Sequence, residues 1–145
     1  MHELSIAQNI VDFALSEADK NNAMAVSEVF IDVGELMQVE VDVLEKALGL
    51  LMAGPRLAGC SVHMQVEAAS FQCRRCDASW GMEEARRQLE RTPDSLRVKE
   101  PDSIELPLHF LPSLYSAFLH CPKCGSVDIV ASAGEDIRLR RLVME

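Results

Sequence analysis

Cys73-Arg74-Arg75-Cys76 and Cys121-Pro122-Lys123-Cys124-Gly125 are the two stretches that decide how this chain folds. Each is a CxxC knuckle, a turn that aims two sulfurs at one point. Two knuckles supply four thiolates for a single tetrahedral ion, and zinc is the metal that such a set selects. A closed four-thiolate site leaves no open coordination position. Cys73, Cys76, Cys121 and Cys124 are therefore expected to bind zinc structurally rather than to carry chemistry. A redox CxxC would need only one pair, so the second pair favours the metal. Cys60 falls outside the pattern and reads as a free buried thiol. The knuckles enclose an insert of 44 residues, 77–120. Loop closure costs only about 0.6 kcal/mol per doubling of length, so the insert weakens the metal reading little.

Working outward, residues 4–19 carry Leu4, Ala7, Ile10, Val11, Ala14, Leu15 and Ala18 at helical spacing, and Asn21-Asn22 ends the run. Residues 26–34 alternate, with Val29, Ile31 and Val33 on one face and Glu28, Phe30 and Asp32 on the other, as in a strand. A second helix spans 40–53, with Val41, Leu44, Leu48 and Leu51 on one stripe, and Gly54-Pro55 stops it. Residues 61–69 form a second alternating strand. Helix–strand–helix–strand predicts a small α/β unit with a helical crossover. The expected fold class is α+β: a small mixed sheet with two helices, plus a four-cysteine zinc-binding domain. The expected division is 1–70 with 126–145 for the α/β domain and 71–125 for the zinc-binding domain. Within the insert, residues 83–91 predict a charged helical turn or two, and 92–103, polar with two prolines, a mobile stretch. The apolar run 104–119 packs on the zinc module or faces a partner. Val127–Val130 and Ile137–Val143 are expected as strands returning to the first sheet.

Composition limits the function. An apolar fraction of 48% supports a core, and the net charge of −9 argues against nucleic acid, which needs clustered cations. No run is long and apolar enough for a membrane span, and the start lacks the basic and apolar regions of a signal peptide. Five cysteines, four of them in knuckles, fit reduced thiols in a cytoplasm. No Ser–His–Asp set, phosphate loop or complete HExxH motif is present, so no enzyme is expected.

The start, Met1-His2-Glu3, offers a second metal site. A bulky residue at position 2 should leave Met1 in place. Its α-amine, the amide nitrogens of His2 and Glu3 and the His2 imidazole form tight chelate rings. Four nitrogens in a plane suit Ni(II) or Cu(II) better than zinc. The first amides of a helix lack intrahelical partners, so a metal can take them without breaking the ladder. The bland alternative is an incidental histidine.

Taken together, Met1-His2-Glu3-Leu4-Ser5, Val33-Gly34-Glu35-Leu36, the second helix from Val41 and the knuckle pair ending in Cys121-Pro122-Lys123-Cys124-Gly125 resemble the hydrogenase nickel-incorporation proteins HypA/HybF. The resemblance implies a nickel metallochaperone, with Ni(II) as cargo held at Met1, His2 and Glu3. It implies delivery to the [NiFe]-hydrogenase large subunit with the GTPase HypB, and in some cases help to urease maturation proteins. It makes the zinc structural. The long insert departs from the short form of the family. His109, twelve residues before Cys121, resembles an insert histidine that reaches nickel in some members; a packing or surface role stands beside that. His120 has a similar ambiguity as a neighbour of the zinc site or an alternative ligand. His63 reads as solvated. The competing function is a zinc-ribbon module for protein interaction or nucleic-acid binding, for which Arg74, Arg75, Arg86, Arg87 and Arg91 would be the basic patch. A thiol redox protein is the third.

Overall fold

The computed structural model describes residues 2–100, 103–105 and 115–145. The chain forms two compact units: residues 1–33, 39–65 and 138–145 in one, and 34–38 with 66–137 in the other.

The first unit opens with helix α1, His2–Lys20. Ala7, Ile10, Val11, Ala14 and Ala18 are buried at the predicted three- and four-residue spacing. Asn22 ends the helix in the left-handed conformation (φ 54°), and the Ala23 amide closes back on the Ala18 carbonyl at 2.8 Å. Strand β1, Val26–Gly34, buries Val29, Ile31 and Val33 as the alternation predicts. Helix α2, Val41–Leu51, packs against α1 and buries Leu44, Ala47 and Leu48. Strand β2, Ser61–Glu67, lies on one side of β1, and the last strand, β8 (Ile137–Met144), lies on the other. The terminal backbone is tied to the start of β1, with Glu145 N–H donating to Ala25 at 2.9 Å. On the polar side of the sheet, Arg140 pairs with the nearly buried Asp32 at 3.2 Å, and the guanidiniums of Arg140 and Arg141 each lie 5.4 Å from the Phe30 ring centre.

The second unit is built on β3 (Ser70–Cys73), flanked by β4 (Ser79–Gly81) and β7 (Ile129–Ala133), both antiparallel to it. Phe71 faces Trp80 across the β3–β4 pair, their rings 6.0 Å apart, and Tyr115 adds a tilted ring at 5.8 Å. Helix α3, Met82–Glu90, buries Met82, Ala85, Gln88 and Leu89. Beyond it lie a 3-10 turn at Asp94–Leu96, the hairpin of β5 (Val98–Glu100) with β6 (Ser103–Glu105), and the short α4 (Tyr115–Phe118). Leu119, Cys121 and Ile129 complete the core. Tyr115 Oη accepts the Ala131 N–H at 3.0 Å, so the phenol covers an edge amide of β7.

Leu36 also belongs to this second core, although it lies between β1 and α2 in sequence. It sits in a 3-10 turn, Glu35–Met37. Gly34 N–H donates to Asp136 O at 2.8 Å and Leu36 N–H to Gly134 O at 2.9 Å. The Glu35 carboxylate accepts Ala69 N–H at 3.0 Å, and that of Glu67 accepts Gly134 N–H at 3.1 Å. Three passes of backbone meet so closely that a Cβ on Gly34 would lie 2.5 Å from Asp136 O and one on Gly134 would lie 2.6 Å from the Ala69 backbone.

One expectation changes. Residues 127–130 do not return to the first sheet: β7 pairs with β3, because its buried Ile129 belongs to the core around Phe71. Among the described residues of 92–103 lie the 3-10 turn Asp94–Leu96 and strand β5. The charged helical turns expected at 83–91 are helix α3, which also has a buried face.

Candidate metal centre

The four cysteine sulfurs lie within 4.8 Å of one another. Cys73 Sγ is 3.6 Å from Cys124 Sγ, and Cys76 Sγ is 3.5 Å from Cys121 Sγ. Zinc–sulfur bonds of about 2.3 Å require tetrahedral S···S edges of about 3.8 Å, so the set fits that ion. Cys73 and Cys121 are buried, while Cys124 is exposed.

The two knuckles repeat one backbone pattern. Cys73 N–H bonds to Ala78 O (2.8 Å) and Asp77 N–H to Cys73 O (3.1 Å); Cys121 N–H bonds to Ser126 O (2.8 Å) and Gly125 N–H to Cys121 O (2.9 Å). The residue four beyond each leading cysteine is left-handed, Asp77 at φ 62° and Gly125 at φ 74°. Glycine adopts this freely, and aspartate is among the side chains that tolerate it. Each leading sulfur accepts the amide two residues on, Arg75 N–H to Cys73 and Lys123 N–H to Cys121, both at 3.4 Å; Cys124 N–H reaches Cys121 at the same distance. Such amides stabilise thiolate.

Crowding four thiols sets their protonation against one another. The Cys76 amide holds the Cys73 thiol below its usual value despite burial, with help from the Arg75 amide and the neighbouring thiols. Burial raises Cys121, but the amides of Cys124 and Lys123 and its neighbour thiols bring it down to about 6. The Ala78 amide lowers Cys76, yet burial and the hydrogen bonds from the other three cysteines push it up to about 12. The set cannot hold all its negative charge unaided, and a divalent cation removes that conflict.

Second to the cysteines is the grip on the residue before them. Gln88 of α3 accepts His120 N–H at 2.9 Å and donates to His120 O at 3.0 Å, the two-point contact of a strand neighbour made by a side chain. Sequence reading missed it, since a glutamine in a charged helix gives no such signal. The His120 side chain is exposed, and the four-cysteine group does not include it.

At the other predicted site, the backbone of His2 begins α1. Glu3 is 8% exposed, and its carboxylate accepts the Glu40 N–H at 3.2 Å, at the N-terminus of α2. Negative charge is favoured there. Met1 and His109 lie outside the described residues. His63, read as solvated, is half-exposed but stacks on Phe30 (4.5 Å) and pairs with Glu28 (3.2 Å). Cys60 is a free thiol with its pKa raised by partial burial and by the charge of Glu28. Among the described residues no helix is long and apolar enough to cross a membrane.

Fold and cysteine centre define a small α+β metal-binding protein in which one unit is built around a four-thiolate site. A family model described as hydrogenase/urease nickel incorporation, metallochaperone, HypA, matches residues 1–144. Hydrogenase maturation factor HypA of Pyrococcus horikoshii is 33% identical over 145 residues, covering all of this chain and 96% of the relative. The protein of that name in Thermococcus gammatolerans is 32% identical with the same coverage. The solution structure of the Ni metallochaperone HypA from Helicobacter pylori superposes with a TM-score of 0.57 at 16% identity, over 98% of this chain and 96% of that one. Another solution structure of HypA protein gives 0.59 at 18%, over 100% and 97%. The chain belongs to the HypA family of nickel-incorporation metallochaperones.

Proposed function

We propose that this chain is a nickel carrier that binds Ni(II) at its N-terminus and delivers it, with a GTPase of the HypB type, to the large subunit of [NiFe]-hydrogenase. It performs no catalysis and acts in the cytoplasm, and urease maturation proteins are further candidate recipients. Met1 supplies its α-amine, His2 its amide and imidazole, and Glu3 its amide. The observation that carries this reading is the start of α1 at His2, combined with family membership. The first-turn amides of a helix have no carbonyl partner of their own. The Glu3 carboxylate is engaged at Glu40 N–H, which favours its amide rather than its side chain as the donor. A planar set of nitrogen ligands of this kind would suit Ni(II).

Cys73, Cys76, Cys121 and Cys124 hold zinc in this reading. The four thiolates would hold the ion, and zinc, when bound, would join the two knuckles; the chain supplies the amides that favour thiolate. His109 is a candidate further nickel ligand from the insert.

Calorimetric and absorbance titration of nickel into zinc-loaded protein with native Met1 tests this, beside His2→Ala and His109→Ala. Wild type should give a planar Ni(II) spectrum, and His2→Ala should lose it while retaining zinc. Equal binding by wild type and His2→Ala refutes the N-terminal site. The His109 variant reports whether the insert contributes a ligand.

A further inference from the structure

We infer that Gln88 is a positioning residue for the metal centre, acting through His120 to control how tightly the second knuckle retains zinc. This rests on the reading of the four cysteines as a zinc site.

Cys121 is constrained from several sides. Its own N–H and carbonyl are spent within the knuckle, on Ser126 and Gly125, and its sulfur accepts two amides. What fixes the segment entering that knuckle is residue 120. Both backbone groups of His120 are taken by one side chain, the Gln88 amide, which is 6% exposed. Gln88 Nε2 also lies 3.4 Å from Glu84 Oε1, which orients the amide so that nitrogen faces the His120 carbonyl and oxygen its N–H. Leu119 and Cys121, on either side of His120, are 1% exposed. A two-point contact at a residue flanked by buried neighbours fixes rotation of the chain there as well as its distance. The direction of the Cys121 Cα–Cβ bond follows from it, and the Lys123 and Cys124 amides at the sulfur set the remaining rotation. The charged helix of the insert is thereby a support of the metal site, although none of its residues is a ligand. Groups that orient ligands this way typically change metal affinity by about 10- to 100-fold when removed.

The test uses full-length zinc-loaded protein and Gln88→Met, which keeps length and apolar bulk but cannot make the pair. Zinc transfer to a chromophoric chelator in excess should accelerate by about tenfold or more. Co(II) substituted for zinc should show shifted d–d and sulfur-to-metal bands, which a merely structural role would leave in place. Glu84→Gln, which keeps an acceptor for Gln88, should stay within about twofold of wild type. Trp80 fluorescence checks that the unit remains folded. If wild type and Gln88→Met release zinc alike with identical Co(II) spectra, the inference is overturned. If wild type binds no stoichiometric metal, the zinc reading itself fails. Should Gln88→Met not fold, hydrogen exchange on wild type decides: the His120 amide should be protected like that of Cys121, and exchange at the rate of an exposed loop amide overturns the assignment.

Discussion

Alanine at three glycines of the second unit separates two kinds of backbone cost. Gly125 has φ 74° with nothing within 4 Å of where a Cβ would stand, so alanine there suffers only left-handed strain, about 1 kcal/mol. Gly34 has φ −65°, which any residue adopts, but its Cβ would lie 2.5 Å from two carbonyl oxygens, Asp136 and Gly134. These are backbone atoms held by Gly34 N–H and Leu36 N–H, so relief requires moving the seam, at about 2–3 kcal/mol, the upper range for overpacking. Gly134 combines both, with φ 75° and a Cβ 2.6 Å from Ala69 N and Cα, and should lose about 3–4 kcal/mol. Urea unfolding of the zinc-loaded proteins followed by Trp80, the sole tryptophan, reports this unit. Midpoints should fall in the order wild type, Gly125→Ala, Gly34→Ala, Gly134→Ala. If Gly34→Ala unfolds with or above Gly125→Ala, the close approach of Gly34 to the 134–136 backbone is not real, and the seam reasoning fails with it.

Three more outcomes are expected. Zinc binding at pH 7 should release fewer than four protons, because Cys121, brought down to about 6, has already lost its own while Cys76, pushed up to about 12, must expel one; proton release should grow as pH falls below 6, and calorimetry in buffers of different ionisation enthalpy measures it. In zinc-loaded protein Cys60 should be alkylated more slowly than a free cysteine peptide at pH 8, since a raised pKa leaves less thiolate, and Glu28→Gln should speed it; equal rates across peptide, wild type and variant would contradict the cause assigned. Tyr115→Phe should cost about 1–2 kcal/mol, because it strips the Ala131 amide of its acceptor while leaving the ring contact with Phe71; an unchanged urea midpoint would show that water replaces the phenol freely.

Much of the fold could be read from the chain because hydrophobic period and burial coincide in it. The alternation of Val29, Ile31 and Val33 and the stripe of Ala7, Ile10, Val11, Ala14 and Ala18 are core positions. Helix α3 was harder to read, since its buried face is Met82, Ala85, Gln88 and Leu89: one polar and one small residue interrupt the apolar signal. Strands β3 and β4 have only four and three residues, too short for a period to register. The partner of β7 is a choice between sheets, which alternation cannot make. At the candidate metal centre the cysteine spacing marked the four residues whose sulfurs the fold brings together. The left-handed Asp77 that matches Gly125, and the amide grip on His120, arise only once the chain is folded, because neither residue type has one meaning in sequence. Leu36 in the second core is the same lesson: its neighbours in sequence belong to the other unit.

The position of β8 has a consequence for the order in which the chain assembles. One of the two neighbours of β1 is formed by residues 137–144, which leave the ribosome about 100 residues after it. Until then that side of β1 is an open edge, available to other nascent chains. Closing the path from Glu67 to Ile137 through free chain spans about 70 residues; if zinc joins the knuckles as proposed, it shortens to about 20, which lowers the closure cost by about 1 kcal/mol. Metal supply would thus set how long the first sheet waits for its final strand. Zinc-starved cells should accumulate this protein as an aggregation-prone intermediate with an uncovered β1, rather than as a folded carrier lacking one ion.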